Sequence, residues 1–169
     1  MGENSKSEVI DIKIKDNDKV NIENIELKAM YTPGHTDCSY SYIMNDRVFT
    51  GDTLLINGTG RTDFQNGSAK DQYNSLFNKL LKLPENTIVL PAHDYNGKKS
   101  STIGNEIKNN PRLQVSSVDQ YIEIMNNLNL ANPKILTEDP NRQKFLNEKL
   151  EPRLALSNID ILLPRRVIP

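Results

Sequence analysis

Strand-like patterning in the first 50 residues is the feature that most limits how this chain can fold. Residues 9–15 alternate isoleucine with charged side chains, and this period of two predicts a half-buried strand followed by a turn at residues 16–18. Asn45 and Asp46 suit a two-residue hairpin loop. Further strands are predicted at residues 20–22, 25–31, 40–44 and 47–50. The N-terminal part therefore predicts an antiparallel sheet.

Helical spacing replaces this alternation after an irregular, glycine-rich stretch at residues 51–67. Ser68 with Asp71 resembles a capping box, and apolar residues at helical spacing then continue to the Leu83-Pro84 step. The remaining predicted elements are a buried strand at residues 87–90, a helix at about 101–109 stopped by Pro111, a helix from Ser117 and one helix at about 142–150. Strands therefore dominate the first 50 residues, and helices dominate the part after residue 67.

Composition and charge exclude several classes of protein. The 169 residues carry 21 basic and 22 acidic side chains, so no global field favours nucleic acid or an acidic membrane. No apolar run approaches the length of a membrane span. The single cysteine, Cys38, excludes an intramolecular disulfide and suits a reducing compartment. We therefore expect a cytoplasmic protein without nucleic-acid or membrane partners.

Both histidines of the chain, and one of its aspartates, follow predicted strands. His35 comes after the strand at 25–31, and Asp52 follows the strand at 47–50. An imidazole and a carboxylate are two of the three ligands of the facial triad that holds non-haem Fe(II), and they also suit Zn²⁺. His93 could be a third ligand or lie beside the ligands. The alternative interpretation is a core histidine and a turn-forming aspartate.

Four motifs in fixed order carry a resemblance: TPGHTD at residues 32–37, FTGD at 49–52, GTGRTDFQ at 58–65 and LPAHDYNG at 90–97. They resemble the C-terminal half of metallo-β-lactamase-fold proteins and, within that superfamily, the persulfide dioxygenases. The similarity runs from about residue 9 to 135 and includes NPRL at residues 110–113. It implies an α/β fold, the C-terminal half of an αββα sandwich. Glyoxalase II shares the GHT, GDT and G-x-G-R elements, but RTDFQ and PAHDY favour the dioxygenases.

The resemblance also implies roles for the motif residues. His35 and Asp52 would be ligands of Fe(II), with Zn²⁺ as the alternative metal. His93 would stay beside the metal without binding it. Arg61 and Asp63 would pair and hold the loop next to Asp52.

The substrate implied by the resemblance is glutathione persulfide. Tyr95 and Arg112 are then candidates to contact its glutathione carboxylates, because a phenol and a guanidinium suit carboxylate groups. The alternative for Arg112 is an ordinary solvated arginine.

Two departures from the family pattern shape the expectations. Cys38 occupies a position where the family has glycine, which costs the turn some backbone freedom. The H-x-H-x-D-H motif, which supplies the first iron histidine, does not occur in the sequence. We therefore expect residues 1–136 to form the C-terminal half of the domain and leave residues 137–169 as an unassigned tail. Half a sandwich exposes a sheet face, so we expect a homo-oligomer, association with a separate N-terminal half, or a cover formed by the tail at residues 137–169.

Three functions stay open at the level of the sequence. The first is persulfide dioxygenase chemistry, with O₂ oxidising glutathione persulfide to sulfite and glutathione, in a chain whose activity by itself is weak or absent. The second is a zinc-dependent hydroxyacylglutathione hydrolase of the glyoxalase II type. The third is a non-catalytic binding remnant. Metal content separates the three.

Overall fold

The structure, a computed structural model, describes residues 1–5, 11–64, 66–94 and 96–130. The chain divides into two compact units, and the first comprises residues 1–4 and 12–128. All elements described below belong to that unit. The predicted boundary between residues 136 and 137 and the predicted helix at 142–150 lie outside the described residues.

A six-stranded sheet forms the centre of the first unit. Its first four strands pair antiparallel in chain order, as predicted, and Asn45 and Asp46 make the hairpin turn. The strands are β1 (Lys19–Ile22), β2 (Ile25–Tyr31), β3 (Tyr40–Met44), β4 (Arg47–Gly51), β5 (Leu54–Leu55), β6 (Gly58–Thr59), β7 (Ile88–Pro91) and β8 (Ser101–Thr102). The sheet order is β1-β2-β3-β4-β7-β8, with β7 parallel to β4, while β5 and β6 form a separate small hairpin. This mixed sheet agrees with the predicted α/β class.

Three helices begin where side chains can cap them. They are α1 (Ala69–Phe77), α2 (Ile103–Asn109) and α3 (Val118–Asn126). Ser68 and Ser117 accept hydrogen bonds from the backbone of Asp71 and Gln120, which confirms both predicted N-termini. Two short 3₁₀ turns, Leu80–Lys82 and Pro111–Leu113, follow α1 and α2.

The core lies between one face of the sheet and these helices. Val48 and Val89 on the central strands pack against Leu76, Ile103 and Tyr121, all with no exposed surface. Burial of each such aliphatic side chain stabilises the fold by roughly 1.5–3 kcal/mol. Because side chains alternate along a strand, the residues next to Val48 and Val89 in the sequence point to the opposite face of the sheet.

Two predicted elements differ from the structure. The strand predicted at 9–15 was wrong over its described part, residues 11–15, where Ile14 makes only an isolated bridge to Gly2 and Ile12 is exposed. The backbone groups of Ile12 and Ile14 bond instead to residues 1 and 3, and Asp18 accepts from the Lys15 N–H, so this segment does not join the sheet. The helix predicted to run to Leu83 ends at Phe77, because the backbone leaves the helical region at Lys79 (φ −125°). A 3₁₀ turn follows, and Leu83, which precedes a proline, is extended.

Candidate metal centre

Three strand ends bring His35, Asp52 and His93 to one edge of the sheet. Asp52 directly follows β4, and His93 comes two residues after β7, its neighbour in the sheet. His35 lies in the turn between β2 and β3, which is closed by the Thr32 N–H donating to the Ser39 carbonyl at 3.0 Å. The left-handed backbone that this turn needs is supplied by Gly34 at φ +139°, not by Cys38.

Asp52 lies between the two imidazoles. Its Oδ2 is 3.7 Å from His35 Nε2, and its Oδ1 is 2.6 Å from His93 Nδ1. The side chains of His35 and Asp52 are each 24% exposed, whereas His93 is 58% exposed. The first two groups are thus partly shielded but still open to solvent on one side, as a ligand-accepting site requires.

A backbone carbonyl fixes the His35 ring. Nδ1 of His35 lies 2.8 Å from the carbonyl oxygen of Arg61. Because a carbonyl oxygen can only accept, Nδ1 must carry the hydrogen, and the lone pair of the neutral ring is then on Nε2, which faces Asp52. This is the usual arrangement of a metal-ligating histidine.

Gly60 allows the Arg61 segment to approach this closely. A Cβ atom added at Gly60 would overlap the carbonyl oxygen of Asp52 and would lie 2.9 Å from His35 Nδ1. Position 60, between the β5–β6 hairpin and Arg61, therefore has no room for a side chain. The main chain of Asp52 and the ring of His35, the two candidate ligands, enclose that space.

The side chain of Arg61 forms a bidentate pair with Asp63. Its Nε and Nη2 donate to the two carboxylate oxygens at 2.7 and 2.6 Å, and its guanidinium lies 4.5 Å from the centre of the Phe64 ring. The hydrogen bonds from Arg61 lower the pKa of the Asp63 carboxyl. The pair holds the loop whose main chain contacts His35.

We expect Arg61→Ala to weaken metal binding by about tenfold, because the loop that orients His35 loses its bidentate anchor. A Co²⁺ titration followed by absorbance measures this. Arg47→Ala is the matched control, since Arg47 makes the same bidentate pair with Asp46 in the exposed β3–β4 turn. Equal affinities in both variants would show that Arg61 does not support the metal site.

The two predicted substrate contacts have different outcomes. Tyr95 lies outside the described residues. Arg112 is only partly exposed, and its Nη1 donates to the Thr59 carbonyl and lies 3.3 Å from Thr59 Oγ1. Burial lowers the pKa of this guanidinium. Arg112 is therefore not an ordinary solvated arginine, and one of its nitrogens is engaged with β6.

Two buried polar residues near the site were missed at the level of the sequence. Gln72 on α1 donates to the Gly60 carbonyl at 3.1 Å, and Tyr121 on α3 donates to Gln72 Oε1 at 2.9 Å. Burial raises the pKa of Tyr121 to about 12. The signal available in the sequence was a glutamine on the apolar side of a helix, four residues before the buried Leu76.

These residues fit two places in a metal coordination sphere. Two ligands at about 2.0–2.2 Å from one ion are separated by roughly 3–3.6 Å, close to the 3.7 Å between His35 Nε2 and Asp52 Oδ2. Within the part of the chain that the structure describes, no group of three histidine, cysteine or acidic side chains could hold a metal ion. His93 is turned so that its Nδ1 meets the carboxylate.

The sequence is similar to a known family and to known proteins. The family model described as the Metallo-beta-lactamase superfamily matches residues 2–93. Persulfide dioxygenase ETHE1, mitochondrial, of Mus musculus is 43% identical over 126 residues, which cover 73% of this chain and 49% of the relative. The chain spans about half the length of the curated relatives it matches first.

Solved structures give the same result. The crystal structure of ETHE1 from Myxococcus xanthus superposes with a TM-score of 0.74 at 42% identity, covering 82% of this chain and 61% of that one. TTHA1623, solved in a di-iron-bound form, has a TM-score of 0.51 at 26% identity and covers 59% and 47%. The predicted family resemblance and the sandwich-type fold are therefore confirmed. No helix in the described residues is long and apolar enough to cross a membrane.

Proposed function

The chain belongs to the metallo-beta-lactamase superfamily, and from this premise we propose that it is the C-terminal half of a persulfide dioxygenase-type metalloenzyme. The pairing of His35 Nε2 with Asp52 Oδ2 across 3.7 Å at neighbouring strand ends carries the proposal. The 43% identity to the mouse persulfide dioxygenase supports this branch of the superfamily.

The metal proposed for the site is Fe(II), with Zn²⁺ as the alternative. His35 and Asp52 would hold it, and Fe(II) when bound supplies the redox centre at which O₂ oxidises the persulfide. The substrate proposed is glutathione persulfide. In the overall reaction its S–S bond breaks, the terminal sulfur is oxidised to sulfite while O₂ is reduced, water supplies the third oxygen, and glutathione leaves as the thiol.

The surrounding residues have separate proposed roles. His93 keeps its hydrogen bond to Asp52 and so holds the carboxylate in place without binding the metal itself. Arg61 and Asp63 fix the adjoining loop. Arg112, whose Nη1 is used on Thr59, would meet a glutathione carboxylate through its other nitrogens, and Tyr95 is proposed as its partner in that contact.

A sheet face is proposed as the place of assembly. On the face opposite the helices, Tyr42, Phe49 and Leu90 lie side by side on β3, β4 and β7, and Phe49 is 37% exposed. Such an apolar row suits a second sheet packed at about 10 Å. We propose that an N-terminal half, or a second copy of this chain, covers it and that the half with H-x-H-x-D-H supplies the third ligand.

Two other functions have support from particular residues. A zinc-dependent hydroxyacylglutathione hydrolase would use the same His35 and Asp52 pair. A non-catalytic binding remnant agrees with the described residues, which contain no group of three histidine, cysteine or acidic side chains that could hold a metal ion. The compartment proposed is the cytoplasm, which suits a chain with one cysteine, although the mouse relative is named as a mitochondrial protein.

We expect the isolated chain to oxidise glutathione persulfide weakly or not at all, because two ligands do not fix a facial site. Addition of a separately expressed half with H-x-H-x-D-H is expected to restore turnover. Oxygen uptake with Fe(II) and glutathione persulfide measures this, with iron and zinc analysis and sedimentation of the same samples. Thioester hydrolysis by a zinc-loaded complex would favour the hydrolase.

Fast persulfide turnover by a monodisperse monomer would contradict the proposed need for a second half. A third ligand would then come from this chain, with His93 as the candidate. A complex that binds neither iron nor zinc would favour the binding remnant.

A further inference from the structure

Side chains from outside the segment hold five consecutive residues of the main chain, residues 57–61. Each of these residues offers one backbone N–H or carbonyl to a different side chain. The pairs are Asn57 N with Glu106 at 2.9 Å, Gly58 O with Asn110 at 2.9 Å, Thr59 O with Arg112, Gly60 O with Gln72 at 3.1 Å and Arg61 O with His35 at 2.8 Å. Four of these five side chains lie in the helical part of the unit: Gln72 on α1, Glu106 on α2, Asn110 at the C-terminal cap of α2 and Arg112 in the 3₁₀ turn that follows.

Glu106 is the buried anchor of this arrangement. It has no exposed surface, and its Oε2 accepts from the Asn57 N–H and from Asn110 Nδ2 at 2.8 Å. Its Oε1 accepts from Ser101 Oγ at 2.5 Å and from Asn105 Nδ2 at 3.4 Å. Among the described residues, no lysine, arginine or histidine forms a salt bridge with it. Burial of a carboxylate costs free energy unless hydrogen bonds replace those lost to water. These hydrogen bonds compensate Glu106 for its burial and fix it against Asn57 and Asn110.

Asn110 holds the next residue of the segment, Gly58. It is fully buried at the end of α2, and its Nδ2 donates both to Gly58 O and to Glu106 Oε2. Its Oδ1 caps the following 3₁₀ turn by accepting from the Arg112 N–H at 3.1 Å. The side-chain oxygen of Asn57, by contrast, is buried without a hydrogen-bond partner in the described structure. At residues 57 and 58 the main chain is therefore held by Glu106 and Asn110, and the side chain of Asn57 contributes no hydrogen bond through its oxygen.

The far end of the segment sets the orientation of His35. The Arg61 carbonyl fixes the hydrogen on His35 Nδ1, and Gly60 packs directly against the ring. A segment that slides or rotates would take this carbonyl away from Nδ1. The ring could then place its hydrogen on Nε2 and lose the lone pair that faces Asp52.

We infer that Glu106 and Asn110 are positioning residues. Their hydrogen bonds to the main chain of residues 57 and 58 hold the Arg61 carbonyl in place, and this carbonyl keeps His35 in the tautomer that can bind a metal. The inference rests on the proposed function only in assigning His35 as a ligand. Neither residue touches the candidate metal site itself, so both act through the main chain.

The test is the tautomer of His35, read from long-range ¹H–¹⁵N correlation spectra at one fixed pH at which imidazole is neutral. The chain has two histidines, so a His93→Gln variant assigns the signals. We expect the Nδ1–H form in the native chain and a mixture of tautomers in Glu106→Ala, with Co²⁺ binding weakened about tenfold. Glu106→Gln keeps an acceptor for Asn57 and Asn110 and is expected to retain the native tautomer.

Ile103→Ala is the matched control, because Ile103 is a fully buried residue of the same helix with no bond to the segment. It should lower the melting temperature without changing the tautomer. If Glu106→Ala does not fold, Asn110→Ser decides, since serine can still cap the 3₁₀ turn but loses both donations. An unchanged tautomer in the folded variants, or an equal change in Ile103→Ala, would overturn the inference. The tautomer is measured without metal. The outcome of this test is therefore independent of whether the proposed dioxygenase activity is found.

Discussion

Replacement of Gly60 by alanine is expected to destabilise the protein by about 3 kcal/mol and to abolish metal binding. The added methyl group would overlap the Asp52 carbonyl and press on the His35 ring, so the main chain on both sides of the candidate site must move. Neither neighbour is the free end of a flexible side chain, which is why relaxation cannot be cheap. A loss of this size corresponds to roughly 6–12 °C in melting temperature, measured by circular dichroism alongside a Co²⁺ titration.

Gly58→Ala is the control for this prediction. Gly58 lies two residues earlier in β6, and no heavy atom outside its chain neighbours lies within 4 Å of an added Cβ. We expect its unfolding free energy to stay within about 0.5 kcal/mol of the native value. A native melting temperature and native affinity in Gly60→Ala would show that Asp52 and His35 are not held as closely as the structure has them.

Local sequence signals were sufficient for much of the fold. The strand at Ile25–Tyr31 and the hairpin of β3 and β4 were predicted with nearly the observed ends, because apolar runs there are bounded by turn residues. Both serine caps were likewise predicted, since the capping oxygen and the N–H that it accepts from lie three residues apart. Where the deciding contact lies nearby in sequence, the pattern contains it.

The support of the candidate site could not be predicted in the same way. Asn57 and Glu106 are 49 residues apart, and Thr59 and Arg112 are 53 apart, so no local pattern connects them. The strand ends indicated His35, Asp52 and His93 as neighbours, and the structure brings these three side chains together. The sequence did not indicate that a loop carbonyl would select the His35 tautomer, because that depends on the packing of Gly60.

Asp52→Asn is expected to weaken metal binding by at least about 100-fold while leaving the fold intact. Asparagine has the same shape, but it carries no charge, and a neutral amide oxygen is a poor substitute for the carboxylate that lies between His35 and His93. The amide can still accept a hydrogen bond from His93 Nδ1, so local order should survive. Isothermal titration with Co²⁺ or Fe(II) under anaerobic conditions gives the affinity, and thermal unfolding gives the stability.

Asp46→Asn tests whether this loss is specific to the site. Asp46 is also a carboxylate next to the sheet, but it pairs with Arg47 in the exposed β3–β4 turn, at the opposite end of β4 from Asp52. Its removal should leave the metal affinity unchanged. If Asp52→Asn bound metal as tightly as Asp46→Asn does, the carboxylate between the two histidines would be a turn former and the metal would have to bind elsewhere.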